Sequence, residues 1–340
     1  MSRREQPKKL FFSRTLDFLD HYLPEQAKKS NNTVETYRDA LTIFRRYISE
    51  TRHLSIRNFC FDDCTHDLLL SFMEFLRDSG SAPSTCNNRL AAIRAYLWYA
   101  ADEDITIQPV ALTASHVPFI RVPKLTRETI SEKTLSALLA APPDTKIGKR
   151  DRMILILLYD SAIRVSELIS LDVRSVNLVA EIPYIRVYGK GDKERIVAIT
   201  DASAKHISNY LRSFHIDPSP DSPLIYTVIK GDMGRMSVGN VERIIKKYAD
   251  QIRPDHPDLP KTVYPHMVRR TRATNLYQDG IELELISRIL GHTSTETTRI
   301  YAVPSVEMMR QAMECGNLAS DEQPEWTDSE AELARLCGLR

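Results

Sequence analysis

A chain of 340 residues is longer than one typical domain, so two domains are expected, each large enough to bury its own core. With 42% apolar and 27% charged residues, and no apolar run long enough to span a bilayer, the composition is that of a soluble globular protein and excludes a membrane protein. The net charge of +1 is unevenly spread: residues 305–340 hold eight acids and three bases, which leaves residues 1–304 mildly basic.

The first nine residues are basic but lead into no apolar stretch of signal-peptide type, so a cytoplasmic location is expected. Residues 1–104 are expected to form an N-terminal helical domain. Asn32 and Glu35 have capping-box spacing, and Tyr37, Ala40, Leu41, Phe44, Tyr47 and Ile48 follow an i, i+3, i+4, i+7 stripe. Further amphipathic helices are expected near Phe11–Leu23, His66–Asp78 and Ser84–Ala101, and four such helices suit a bundle. From residue 105 to 128 the period breaks around Pro109, Pro118 and Pro123, which marks an inter-domain linker.

Residues 129–304 are expected to form the second domain. Helical segments at Ser131–Ala141 and Lys149–Ser161 precede two β-branched runs, Tyr184–Tyr188 and Arg195–Ile199, which flank Gly189-Lys190-Gly191-Asp192-Lys193 as a hairpin. A short strand is expected at Leu224–Val228, and the remainder to about Met313 reads as helix. In residues 305–340, Ser305–Cys315 is a further amphipathic helix, Asp321–Glu330 an acidic tether and Leu333–Leu339 a short apolar end. The fold class is therefore mainly α with a small antiparallel β-sheet: an N-terminal helical bundle plus a C-terminal mixed α+β domain. The odd, scattered set Cys60, Cys64, Cys86, Cys315 and Cys337 favours free thiols over a disulfide framework. Cys60, Cys64 and His66 lack a fourth ligand at finger spacing, so no metal is expected.

Four polar clusters carry possible chemistry. In Tyr264–Arg272, Pro265 fits a first helical turn and puts His266 and Arg269 on one face, beside backbone N–H groups that favour an anion. In Leu290–Tyr301, Gly291 can end one helix, Thr293 and Glu296 have the spacing to cap another, and Tyr301 falls about two turns into it. Arg164 lies among apolar neighbours with Glu167 three residues on, placed to hold its guanidinium. Glycines on both sides of Lys190 let the hairpin tip turn sharply and present the ammonium; the tip is not a nucleotide P-loop. Taken singly, these are also a solvated basic helix start, a core tyrosine with a structural histidine, an ion pair and an ordinary turn.

Their order and spacing resemble the tyrosine recombinase family, also called phage integrases. Ser161–Leu171, Tyr188–Val197, Pro265–Thr274 and Leu290–Tyr301 match its motifs in sequence order, with Tyr301 nine residues after His292. For residues 10–102 the likeness rests on helical layout, similar to the family's core-DNA-binding domain. Met267-Val268-Arg269-Arg270 departs from the leucine before and histidine after the arginine that many members carry.

The resemblance implies an enzyme in which Tyr301 attacks a scissile phosphorus, giving a 3′-phosphotyrosyl link and a free 5′-hydroxyl. Ionising a phenol of pKa near 10 at neutral pH costs roughly 4 kcal/mol, so a base or strong field must help. It assigns His266 as that base, Arg164 and Arg269 as clamps on the non-bridging oxygens, His292 as a phosphate hydrogen-bond donor and Glu167 as a supporting carboxylate. Lys190 would protonate the leaving oxygen, with Lys193 as its rival. No cofactor is implied. The implied partner is double-stranded DNA, held by a homotetramer that passes through a Holliday junction. Thr85, Asn87, Asn88 and Arg89 are candidate base readers by type. The expected role is recombination for a mobile element, with chromosome or plasmid dimer resolution or type IB topoisomerase-like relaxation as alternatives, and a DNA-binding protein without catalysis as the non-enzyme reading.

Overall fold

The computed structural model describes residues 9–122, 128–189, 193–217, 219–292, 294–315 and 329–338. The chain separates into two compact units, residues 1–126 and 127–340. Among the described residues, no helix is long and apolar enough to cross a membrane.

Among its described residues, the first unit is built from helices, with one isolated bridge between Leu10 and Cys60. A 3-10 turn (Phe11–Arg14), α1 (Thr15–Asp17) and a π-helical stretch (Phe18–Gln26) precede α2 (Asn31–Arg46), α3 (His66–Asp78), α4 (Pro83–Glu103) and α5 (Gln108–Ser115). The apolar stripe of α2 is buried as its spacing requires, at Ala40, Leu41 and Phe44, with Tyr47 and Ile48 following on the next turn. The cap of α2 is Ser30, whose hydroxyl accepts from the Thr33 N–H, so the expected pair Asn32 and Glu35 lies inside the helix instead. Aromatic rings fill the centre: Phe44 meets Phe72 edge-on at 5.0 Å, and Phe11 packs against Tyr96 at 5.3 Å.

The linker expected from residue 105 begins later. Pro109 lies in the first turn of α5, where a missing N–H is tolerated, and Ile107, Ala111, Ala114 and Val117 join the first unit's core. Arg94 of α4 donates its Nε–H to the Ala114 carbonyl (2.9 Å), which ties the two helices together.

The second unit contains α6 (Glu132–Ala140), α7 (Lys146–Asp160), α8 (Val165–Ser170), β1 (Val176–Asn177), β2 (Tyr184–Tyr188), β3 (Glu194–Ala198), α9 (Asp201–Phe214), β4 (Tyr226–Ile229), β5 (Asp232–Arg235), α10 (Val238–Ile252), α11 (Pro265–Gln278), α12 (Leu283–Leu290), α13 (Val306–Cys315) and α14 (Glu330–Leu336). The expected hairpin forms, with Tyr184 opposite Ala198 and Tyr188 opposite Glu194, and β1 adds a third antiparallel strand. The second strand is shifted one residue toward the N-terminus of its expected span. A two-stranded ribbon pairs β4 with β5, which periodicity missed because all four residues of β5 are exposed and one is Gly234.

Two apolar clusters organise this unit. The larger includes Ile154, Leu158, Leu168, Ile185, Val187, Tyr210, Ile245, Tyr248 and Val268. A smaller one gathers Ala162, Ala273, Ile286, Leu290 and Tyr301, and it is around this second cluster that the polar motifs meet.

Candidate active site

The site is built outward from one carboxylate. Glu167 sits in the first turn of α8, where it accepts the backbone N–H of Arg164 (2.7 Å) and the Arg164 Nη1 (2.9 Å), so the expected pair forms. Arg195, from the inward phase of β3, adds two parallel bonds: Nη1 to Oε1 (3.0 Å) and Nη2 to Oε2 (2.9 Å). Arg269 Nη1 lies 3.9 Å from the same Oε2. Burial pushes the Glu167 carboxyl up, but the bonds from Arg195 and Arg164 outweigh it and hold the group below the usual glutamate range. Three guanidiniums therefore surround a single charged carboxylate.

Arg269 begins the second turn of α11, whose first residue is Pro265. Its side chain is buried and donates to the carbonyls of Ala162 (2.7 Å) and Leu290 (2.6 Å). Ala162 has φ +50°, a left-handed backbone unusual for a residue with a side chain, and this turn after α7 directs its carbonyl at Arg269. Burial and the neighbouring Arg164 charge depress Arg269 to about 10, which still leaves it a cation at neutral pH. Its Nε is buried with no hydrogen-bond partner among the described residues.

The other arginines of the motif serve the fold. Arg270 donates to the Glu128 carbonyl, and Arg272 lies over the Tyr159 ring and 3.6 Å from Asp160.

His292 follows Gly291, which ends α12 in the expected left-handed conformation (φ +61°). Arg269 Nη2 approaches His292 Nε2 at 3.2 Å, and His292 Nδ1 lies 2.8 Å from Thr298 Oγ1. A guanidinium can only donate, so Nε2 is the acceptor and the ring proton sits on Nδ1, toward Thr298. Burial, then the Arg269 and Arg164 charges, lower His292 to about 4, so the ring is neutral near pH 7. With Nε2 facing Arg269, this tautomer helps to aim the guanidinium.

Tyr301 stacks on His292, ring centroids 6.0 Å apart and planes 25° from parallel, and is 1% exposed. It does not lie two turns into an α-helix. Two 3-10 turns, Thr295–Thr297 and Arg299–Tyr301, carry it, and Ser294 caps the first of them. Four β-branched residues between positions 295 and 300 disfavour a regular α-helix there.

His266 is exposed on the first turn of α11, close enough for its charge to help depress His292. Lys190 lies outside the described residues. Lys193 is exposed at the foot of the hairpin, its carbonyl accepting from Gly189 N–H (2.8 Å). In the first unit, Asn87 uses its amide on both backbone groups of Ile120 (each 2.8 Å), so a base edge would have to displace two bonds. Arg89 donates to Ser81 Oγ (2.9 Å), while Asn88 is exposed and Thr85 half-buried.

Sequence reasoning missed Arg195 and Thr298. Arg195 had a signal: it shares the inward phase of β3 with buried Val197 and faces buried Val187 across the hairpin, so its charge required a partner.

Comparison with known proteins adds the following. The family model described as "Phage integrase family" matches residues 128–308, and that described as "Phage integrase, N-terminal SAM-like domain" matches residues 16–104. A tyrosine recombinase XerC of Natranaerobius thermophilus is 30% identical over 291 residues, 84% of this chain and 92% of that one. A tyrosine recombinase XerD of Staphylococcus aureus is 30% identical over 286 residues, 83% of this chain and 91% of that one. In fold the chain is similar to the Tn1549 transposon integrase solved with transposon right end DNA, with TM-score 0.66 and 16% identity over 88% of this chain and 98% of the other. It is similar too to the XerH site-specific recombinase bound to difH substrate, with TM-score 0.64 and 20% identity over 88% and 84% of the two chains.

Proposed function

Because the chain belongs to the phage integrase family of tyrosine recombinases, enzymes that cleave and rejoin DNA, we propose that its own cutting centre is the cluster around Glu167, with Tyr301 as nucleophile. One observation carries the reading: Arg164, Arg269, His292 and Tyr301, from separate stretches of sequence, form a continuous chain of contacts on that carboxylate. A buried group of this kind has no cheaper structural purpose, since apolar residues would fill the space at least as well.

The Tyr301 oxygen bonds to the scissile phosphorus as the bond to the 5′-oxygen breaks. His266 takes the phenolic proton and Lys190 supplies one to the leaving oxygen; the reverse sequence reseals the strand. Arg164 and Arg269 neutralise the charge that builds on the non-bridging oxygens, each well-aimed donor contributing about 3–4 kcal/mol. Both Arg269 and Tyr301 are 1% exposed, so a phosphate reaches them only after the 3-10 turns shift. Double-stranded DNA is the partner in this reading.

Exchange between two sites requires several subunits, and α13 offers a surface for their assembly: Val306, Met309 and Met313 are exposed at i, i+3, i+7 spacing. Two roles fit the chemistry, transfer of a mobile element and resolution of chromosome or plasmid dimers, and the fold is about equally close to a transposon integrase and to XerH. Trapping on nicked suicide duplexes, followed by sequencing of DNA captured in the native host, tests all of this. A covalent adduct lost in Tyr301→Phe supports the mechanism, and an adduct that persists in that variant overturns it. Capture at the ends of an element supports the first role, and capture at one chromosomal locus the second.

A further inference from the structure

Arg195 meets three parts of the second unit at one point. It leaves β3, forms the two parallel bonds to Glu167 in α8, and donates Nε–H to the Ile289 carbonyl near the end of α12 (3.2 Å). Its side chain is 14% exposed. The chain makes room for it: a Cβ added at Gly291 would fall 2.8 Å from Arg195 Cζ and Nη1, closer than packed atoms allow. Glycine at 291 thus serves twice, for the left-handed turn and for the guanidinium beneath it.

The bonds to Glu167 are arranged so that no acceptor position is idle. Oε1 takes Arg164 Nη1 and Arg195 Nη1; Oε2 takes the Arg164 N–H and Arg195 Nη2. A carboxylate held in its plane by a bidentate guanidinium presents Arg164 with one oxygen for its side chain and the other for its backbone. Without Arg195, the same carboxylate is free to turn and take the Arg164 guanidinium with both oxygens. That geometry withdraws Arg164, whose side chain is 39% exposed and therefore reachable by an anion.

We propose that Arg195 is a positioning residue for DNA cleavage: by fixing Glu167 it keeps Arg164 available to the phosphate, and Gly291 is the space that admits it. This rests on the cutting function proposed above. Among the described residues, the hydrogen bonds of the Arg195 side chain go to Glu167 and Ile289 and not to Tyr301 or a candidate base reader, so its effect should fall on the chemical step and not on affinity.

The test uses the full chain and a nicked suicide duplex carrying the sequence recovered by trapping, measured in single turnover. Wild type must first form the adduct; if it does not, the cutting function fails and not this inference. With wild type active, Arg195→Gln is expected to cleave about 100-fold more slowly, as misplaced catalytic groups do, with half-saturating DNA concentration changed less than about threefold. Arg195→Lys keeps the charge and nearly the volume but cannot bond both oxygens in parallel, and is expected to recover part of the rate, staying about tenfold below wild type. Cleavage by folded Arg195→Lys at the wild-type rate overturns the proposal, as does a loss of DNA affinity as large as the loss of rate. If Arg195→Gln does not fold, the lysine variant alone decides between these outcomes.

Discussion

The two halves of the candidate site are built by different means. The cationic half stands on regular structure: α8, α11 and β3 deliver Arg164, Arg269 and Arg195 to one carboxylate, and carbonyls of Ala162, Leu290 and Ile289 hold the guanidiniums from behind. The tyrosine half is two 3-10 turns whose internal backbone bonds span three residues, held to the cationic half by the Thr298–His292 hydrogen bond and the stack of Tyr301 on the imidazole. The groups that would make a phosphate reactive are thus fixed by the fold, whereas the proposed nucleophile sits on short 3-10 turns that are cheap to rearrange.

This contrast can be broken by mutation, and the largest effect is expected at the tyrosine. Tyr301→Phe should abolish covalent capture of nicked DNA while lowering stability by no more than about 1 kcal/mol, because one hydroxyl is removed and the ring packing stays. Loss of stability comparable to the loss of activity would place the tyrosine half on the same footing as the cationic half.

Arg269→Met should act on both quantities. Cleavage is expected to fall roughly 1000-fold, and chemical denaturation should show a loss of about 2–4 kcal/mol, since the Ala162 and Leu290 carbonyls lose their buried donor. A variant as stable as wild type would deny that the fold depends on this half.

Thr298→Val removes the oxygen that receives the His292 Nδ1–H, at a cost of about 1–2 kcal/mol. Amide exchange should accelerate within residues 294–303 and stay unchanged in α11, if the tyrosine half opens by itself.

The last effect is on acid stability. His292 binds its proton less readily folded, near pH 4, than unfolded, near 6.5. The unfolded chain therefore takes up the extra proton between those values, so stability falls as pH drops through that window and is unaffected by this group above it. His292→Asn should flatten that part of the unfolding profile.

Much of the cationic half was legible in the sequence because its signals are local. Pro265 can only start a helix, Gly291 takes the left-handed turn that ends one, and Arg164 and Glu167 are a single turn apart. Strand β2 could be read to the residue from its β-branched run beside a glycine-rich tip. What escaped was set by contacts distant in sequence or by competing local preferences. The partner of Arg195 is 28 residues away, the 3-10 turns arise where β-branched residues crowd a cap, and α5 was hidden because Pro109 starts it and so looked like a breaker. The tip of the hairpin, with Lys190, lies outside the described residues, so its part in the site rests on sequence alone.

Glu167 has a thermodynamic consequence of its own. One carboxylate among Arg164, Arg195 and Arg269 leaves this cluster with a surplus of two positive charges, a repulsion that the folded state must carry. An oxyanion that enters relieves it and binds the unfolded chain far less well, so the midpoint of unfolding should climb with anion concentration. Sulfate or phosphate, with no sequence to read and no bond to cut, should already act as a weak stabiliser, and Glu167→Gln, by adding to the surplus, should make the chain more dependent on it.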